Sequence, residues 1–367
     1  MRVLHLTTHI NVGGISQYIY SLLKEMNKEL DYSAVVSSGG TYEKRLQECG
    51  TDIITLPIKT KNAFSPKIFF AIIPIVKILR EKKIDLMHAH TRVTQVLAFF
   101  VSIITGIPFV STWHGYYKNR IGRKLFPAWG KKIIAISDPV KDDLIHSFHL
   151  PEEKIRLIYN SIDMDRFESK VVGINSDEEK KKLNLDNAFP IIGTVARLVE
   201  DKGYPCLLNA FKVILKKHPA GKLLIVGEGK YKEQLKALIN DLDIAQHVVV
   251  LGAVENVAIP LQTMDVFVLV PSLREGFGLS VIEAMTLKKP VVVSNIGGLV
   301  SIVEHKKRGL IIEADNEKAL AESIIYLIEN SDKRNEFIEN AYLYVRQNFS
   351  IATMVKKVKK LYEECIK

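Results

Sequence analysis

Cysteine is scarce in this chain: three in 367 residues, at Cys49, Cys206 and Cys365. They are odd in number and far apart, which excludes a disulfide framework and a cysteine metal knuckle and points to a reducing compartment. Long apolar runs are missing as well. Ile68–Val76 is far short of the ~20 residues that span a bilayer, and Val93–Ile107 is short and dotted with polar side chains, so both read as core helices. The amino terminus, MRVLHLTT, offers neither an apolar h-region nor a small-residue cleavage site; no signal peptide is read there, and a cytoplasmic protein is expected. The familiar nucleotide loops are absent too. No G-x-x-x-x-G-K-[ST] occurs, and no G-x-G-x-x-G follows a strand.

What is present describes a soluble globular chain, 47% apolar and 25% charged, long enough for two domains. Acidic residues are in deficit: 41 against 51 basic ones, a formal net charge of +10. Nucleic acid, an anionic membrane surface or anionic substrates are the partners such a surplus suits. The surplus is uneven. Residues 118–132 (KNRIGRKLFPAWGKK) hold six basic residues and no acidic one, with Phe126 and Trp129 among them. Two readings stay open there: a solvated loop, or a patch for a lipid headgroup or acidic acceptor built on Arg120, Arg123, Lys124 and Trp129.

Short apolar runs alternate with helical patterns along the whole chain. Val3–Thr7 reads as a strand, and Ile15–Met26 places apolar residues at 15, 19, 22, 23 and 26, a helix face. Further strands are expected at 32–37, 53–56, 86–89, 109–112 and 133–136, with helices near 41–49, 66–82, 92–105 and 138–147. A polar break follows over 157–190. A second alternation then runs through strands at 191–195, 223–226, 248–251, 266–270, 291–294 and 310–312. The expectation is an α/β protein with two doubly wound parallel sheets and a ligand cleft between them. The domains are drawn at 1–165 and 166–350, with a last helix over 351–367 crossing back to the first.

Four places carry candidate chemistry. Gly13-Gly14, between the first strand and the first helix, is either a tight turn or an approach for an anion to a helix N-terminus. Arg197 and Lys202-Gly203 follow the first strand of the second half, where two cations beside a turn suit a diphosphate better than plain surface charge. LLIVGEG ends a strand at Gly227. Finally, REGFGLSVIEAM sets Glu275 and Glu283 on either side of a glycine-flanked turn at the mouth of a helix. Ser280 and Glu283 have the S-x-x-E spacing of a capping box, which needs no ligand. Glu275 has no such explanation. A carboxylate beside glycine amides can hold a sugar, since the acid accepts from hydroxyls and the amides donate, and a carboxylate one turn into the helix can grip a vicinal diol.

These pieces stand in one order: VGGISQYIYSLL, MHAH, TWHG, AISDPVKDDL, IYNSIDMDRF, GTVARLVEDKG, LLIVGEG, EGFGLSVIEAM and PVVVSNIGGLVSIV. Together they make the chain resemble glycosyltransferase family 4, over nearly its whole length. The resemblance implies the GT-B fold, two Rossmann-like domains facing each other across a cleft, and a retaining transfer of sugar from a nucleotide-diphosphate donor, UDP most of all. It implies that Glu275 contacts the donor sugar, that the amides of Gly276, Phe277, Gly278 and Leu279 hold sugar and diphosphate, and that Glu283 binds the ribose. It further implies that Arg197 and Lys202 neutralise the diphosphate, with Gly13 and Gly14 closing on it, Gly227 in a neighbouring loop, Val254 near the base and His114 beside the reacting sugar. The acceptor would be a lipid-linked or cell-envelope glycan of lipopolysaccharide, capsule or exopolysaccharide type, with peripheral contact at the inner face of the membrane and no nucleic acid partner. Rival readings are an epimerase or small-molecule glycosyltransferase of the same fold, or a non-catalytic binding subunit.

Two departures bear on metals. Asp163-Met-Asp165 spells D-x-D, the metal signature of the other major glycosyltransferase fold, but lies in the segment between the halves and reads as a hinge. His88 and His90 are spaced like a metal pair but lack a third ligand in the sequence. No metal or cofactor is expected. Asn11 stands where bacterial glycogen synthases carry a lysine, which argues against an ADP-glucose polymerase.

Overall fold

The computed structural model describes residues 1–11, 13–117, 123 and 126–366. Arg120 and Lys124 of the basic segment lie outside these. Thirteen strands are described, and they form two wholly parallel sheets, each covered by helices. Fully buried parallel strands need apolar side chains on both faces, which is why they read as short continuous runs of Val, Ile and Leu.

The first unit comprises Met1–Ser161 and Ile351–Lys367. Its strands are β1 (Arg2–Leu6), β2 (Tyr32–Ser37), β3 (Asp52–Thr55), β4 (Leu86–Ala89), β5 (Phe109–Trp113), β6 (Lys132–Ala135) and β7 (Ile155–Leu157), in the order β3-β2-β1-β4-β5-β6-β7. Side chains alternate between the two faces. Leu4, Leu6, Val36 and Met87 pack under the helices Pro66–Glu81 and Arg92–Thr105. Val3, Val35, Leu86 and Val110 pack on the opposite side, against Gly14–Met26 and the last helix, Ile351–Ile366. That last helix buries Met354, Val355, Val358, Leu361, Tyr362 and Cys365 there, so the chain's end completes the core that its beginning starts.

The second unit is Ile162–Ser350. Its strands are β8 (Ile191–Val195), β9 (Lys222–Val226), β10 (Val248–Leu251), β11 (Val266–Leu269), β12 (Val291–Ser294) and β13 (Leu310–Ile312), in the order β10-β9-β8-β11-β12-β13. The boundary falls at Ser161, not 165. Ile162 pairs with Ser350, and Asp163 caps the helix Met164–Ser169 by accepting from the Arg166 amide at 3.2 Å, which ties 162–165 to the second unit.

Three elements carry no signal that periodicity detects. Strand β7 is three residues long with an arginine at its centre. Met164–Ser169 is under two turns. The polar stretch Ser176–Lys182 is helical although none of its residues is buried. Local terms form it: Asn175 accepts from the Asp177 and Glu178 amides, acids fill the first turn and lysines the last, matching the helix dipole at both ends.

Candidate active site

In the second sheet the strand order reverses between β8 and β11, so the loops after these strands diverge and leave room at their carboxyl ends. The first loop carries Arg197 and Lys202, the second carries Glu275. They meet there: Lys202 Nζ donates to Glu275 Oε2 at 2.6 Å, both side chains mostly shielded from solvent. A shielded, charge-assisted bond of this length fixes both partners. Glu275 Oε1 also accepts from the Phe277 amide at 3.4 Å, so the carboxylate folds over its own loop. Arg197 is exposed, and no protein partner holds its guanidinium among the described residues.

Backbone contacts lock the loops in place. The Ser272 amide donates to Asp201 O at 3.1 Å, the Leu198 amide to Glu228 O at 2.9 Å, and the Gly298 amide to Glu275 O at 2.9 Å. Two glycines are required by this closeness. Gly203 has φ +71°, and a Cβ there would lie 1.8 Å from Val270 O; Gly297 has φ +55°, and a Cβ would lie 2.0 Å from Glu275 O. Gly227, at the end of β9, is confined in the same way by Ala196 O. Val254 lies half-buried in the loop after β10.

The helix Leu279–Thr286 opens at Gly278, which is left-handed at φ +96° and supplies no side-chain cap. Ser280 is therefore inside the first turn, and the capping box expected with Glu283 does not form. This leaves Glu283 without a structural role at the cap. Its carboxyl is half-buried and pushed up to about 7 by burial, with Lys170 acting in the opposite direction. The Gly278 and Leu279 amides donate to no protein acceptor among the described residues, the usual state of a helix N-terminus open to an anion. Phe277 points its ring inward onto Phe349, at 5.5 Å between centroids, so only its backbone faces the turn. A free cation, an ion-paired cation, two open amides and two carboxylates are suited to a diphosphate joined to hydroxyl-bearing groups.

In the first unit, parity puts His5, His88, Thr112 and His114 on the face covered by the first and last helices. His5 pairs in register with His88. The rings are linked: His5 Nδ1 to His90 Nε2 at 2.9 Å, and His90 Nδ1 to His114 Nε2 at 3.2 Å. His88 bonds Thr112 Oγ1 at 2.7 Å and, through its other nitrogen, the Tyr362 hydroxyl at 2.6 Å. The third histidine that the H-x-H spacing lacked is thus His5, and the ligand atoms of His5, His88 and His90 lie within 4.8 Å of one another. Only the register of β1 against β4 would have located it. Gly13 and Gly14 are exposed; a Cβ at Gly14 would meet nothing within 4 Å, so packing does not require that glycine. The D-x-D carboxylates are engaged, Asp163 as a cap and Asp165 with Arg346 at 2.7 Å.

The chain matches the family model for Glycosyltransferase Family 4 over residues 12–166 and that for Glycosyl transferases group 1 over residues 175–344. The chain belongs to glycosyltransferase family 4. It is 27% identical to the capsular polysaccharide biosynthesis glycosyltransferase CapM of Staphylococcus aureus, covering 100% of this chain and 98% of that one. It is 26% identical to the UDP-Gal:alpha-D-GlcNAc-diphosphoundecaprenol alpha-1,3-galactosyltransferase of Escherichia coli, covering 93% and 90%. In fold it is similar to Anabaena HepE, solved in complex with UDP-glucose, at a TM-score of 0.86 and 22% identity over 99% of this chain and 100% of that one. The fold is GT-B, and the protein is a transferase.

Of the glycosyltransferase's basic segment, Arg123 stacks its guanidinium over Trp113 and Tyr117, 4.9 Å from each ring centre. Trp129 is half-buried and packs edge-on against Trp113 and Phe148. Phe126 lies against Phe64, Phe99 and Phe100. Phe70 and Ile73 on the helix Pro66–Glu81 and Ile103 and Ile104 on Arg92–Thr105 are exposed, Phe70 to 78% and Ile73 to 77%. No described helix of the glycosyltransferase is long and apolar enough to cross a membrane.

Burial lowers the pKa of His5 and His114 to about 3, and that of His88 and His90 well below the ordinary value. Unfolded histidines take up protons near pH 6.5, the folded ones only far below it. Stability is therefore complete above that pH and falls as pH drops, by at most about 1.4 kcal/mol per ring per pH unit. Urea unfolding of the first unit's signal should show a lower midpoint at pH 5.5 than at pH 7.5. An equal or higher midpoint at pH 5.5 would contradict four rings held neutral in the fold.

Proposed function

We propose that this glycosyltransferase moves a sugar from a nucleotide-diphosphate donor, UDP-linked, to a hydroxyl of a lipid-linked or cell-envelope glycan, with retention at the anomeric carbon. The observation that carries the reading is the Lys202–Glu275 bond at the β8/β11 switch point, with the unpaired Arg197 on the same loop as Lys202. The names of the relatives support it: one uses UDP-Gal on a diphosphoundecaprenol-linked sugar, another serves capsular polysaccharide biosynthesis.

In this mechanism the diphosphate enters where Lys202 is held by Glu275. Arg197, Lys202 and the open amides of Gly278 and Leu279 take the charge that grows on the leaving phosphate, a stabilisation that needs no metal. Glu275 accepts from hydroxyls of the transferred sugar and Glu283 from the ribose diol. A double displacement would need a carboxylate behind the anomeric carbon. His114, which the family resemblance sets beside the reacting sugar, has His90 and Tyr18 as its hydrogen-bond and ring partners among the described residues, and neither is a carboxylate. This favours a front-side step, in which the acceptor oxygen bonds to the anomeric carbon on the face the diphosphate leaves and passes its proton to the departing phosphate. Catalysis is then positioning plus charge stabilisation.

Lys202→Ala and Arg197→Ala should each lower kcat/KM for the nucleotide sugar by roughly 10²-fold or more, measured as transfer or donor hydrolysis on folded protein. Turnover equal to wild type in both would eliminate the diphosphate assignment.

Membrane contact is the second part of the proposal, resting on the exposed Phe70 and Ile73 beside the exposed Lys67 and Lys77 of one helix. Apolar side chains next to cations suit an anionic lipid surface. Phe70→Glu with Ile73→Glu should weaken co-sedimentation with anionic vesicles several-fold. Binding that ignores both substitutions and the vesicles' anionic lipid content would remove this part.

A further inference from the structure

Neutral imidazole carries one N–H and one lone pair, so a ring that must donate to a substrate needs a defined tautomer as well as a position. The first unit contains a device for this. His5, His90 and His114 form an unbranched chain through two ring-to-ring hydrogen bonds, His5 Nδ1 to His90 Nε2 and His90 Nδ1 to His114 Nε2. In a chain of neutral rings all the protons must point the same way. If one ring turned its tautomer alone, two lone pairs or two N–H groups would face each other.

The direction is decided at the closed end. His5 Nε2 is buried and has no hydrogen-bond partner among the described residues. Were the protons directed towards His5, this atom would carry a buried N–H with no acceptor. Directed the other way, it holds only an unused lone pair. Orphaned donors are the rarer and costlier of the two in protein interiors. The chain therefore runs from His5 Nδ1–H to His90 Nε2 and from His90 Nδ1–H to His114 Nε2. His114 is left with its proton on Nδ1, the nitrogen that bonds no protein atom among the described residues.

We infer that His5 and His90 are positioning residues that hold His114 in its Nδ1–H tautomer, so that it presents a hydrogen-bond donor to the substrate. The use of that donor rests on the glycosyltransferase reading; the tautomer itself does not. Burial keeps the rings uncharged, which the one-way pattern requires. His88 stays outside the relay, since both of its nitrogens bond hydroxyls, of Thr112 and Tyr362, which donate or accept as needed. Its ring stands 4.1 Å from that of His90 and walls the chain in. A metal held by His5, His88 and His90 would have to displace these bonds, because among the described residues only His5 Nε2 of their nitrogens is unengaged.

The test is a long-range ¹H–¹⁵N correlation spectrum of the histidine rings in the full-length, ¹⁵N-labelled protein at pH 7.5, together with kinetics. In wild type, His114 should show a protonated Nδ1 and a bare Nε2. His5→Leu, which removes the first donor, should give His114 an averaged tautomer pattern and lower kcat roughly tenfold, with donor KM little changed. His5→Asn, whose amide can donate from near the Nδ1 position, should restore both. A wild-type His114 protonated on Nε2 would overturn the inference, as would a His5→Leu protein with unchanged tautomer and kcat. Zinc co-purifying one per chain, with metal-bound nitrogen shifts, would also overturn it. The wild-type spectrum decides the tautomer even if His5→Leu fails to fold. It decides it equally if the donor assignment fails, so the two readings fail separately.

Discussion

A parallel sheet gathers the carboxyl ends of all its strands along one edge, and where the strand order reverses, two of the following loops must part. The second unit's candidate site depends on that constraint. Because β8 lies beside β11, residues 73 apart in sequence, Lys202 and Glu275, meet in one shielded bond. The loops that hold them cannot sag, since Gly203 and Gly297 bring backbone into contact where any side chain would collide with a carbonyl. An ion pair kept at low exposure is strong only while its geometry is kept. Lys202 is thereby held in one orientation, and Arg197, on the same loop, has no side-chain partner among the described residues.

The first unit uses the same topology to a different end. Strand parity and register collect three histidines under the first and last helices, out of reach of water. The last helix closes that pocket with Tyr362, 274 positions from the His88 it bonds. The imidazoles are tolerable because they are neutral and bonded to one another or to the Thr112 and Tyr362 hydroxyls; among the described residues His5 Nε2 and His114 Nδ1, at the two ends of the chain of rings, are left over. The buried orphan, His5 Nε2, gives the chain its direction.

Much of this was legible in the sequence. The runs of Val, Ile and Leu between helical patterns place all six strands of the second sheet and six of the first, because buried parallel strands leave an unbroken apolar signal. Strand β7 was too short, and Ser176–Lys182 is a helix made by caps and charge order, without an apolar face. Glu275, Lys202 and Arg197 could be singled out because each stands in a loop with no structural reason to be there. Their bond could not, since it depends on which strands are neighbours. Ser280 and Glu283 misled in the opposite direction. The S-x-x-E spacing is real, but Gly278 starts the helix two residues earlier than a serine cap requires. His5 was invisible for the same reason as the ion pair: its partner lies in another strand.

The central claim is that the switch-point loops of the second unit grip a nucleotide diphosphate joined to a sugar. A thermal-shift panel of UDP-, GDP- and ADP-sugars on the purified protein, with and without EDTA, tests it most directly. The account predicts that one nucleotide class raises Tm, UDP before the others, that EDTA leaves the shift intact, and that Lys202→Ala abolishes it. No shift with any of them, or a shift that survives Lys202→Ala undiminished, would contradict it.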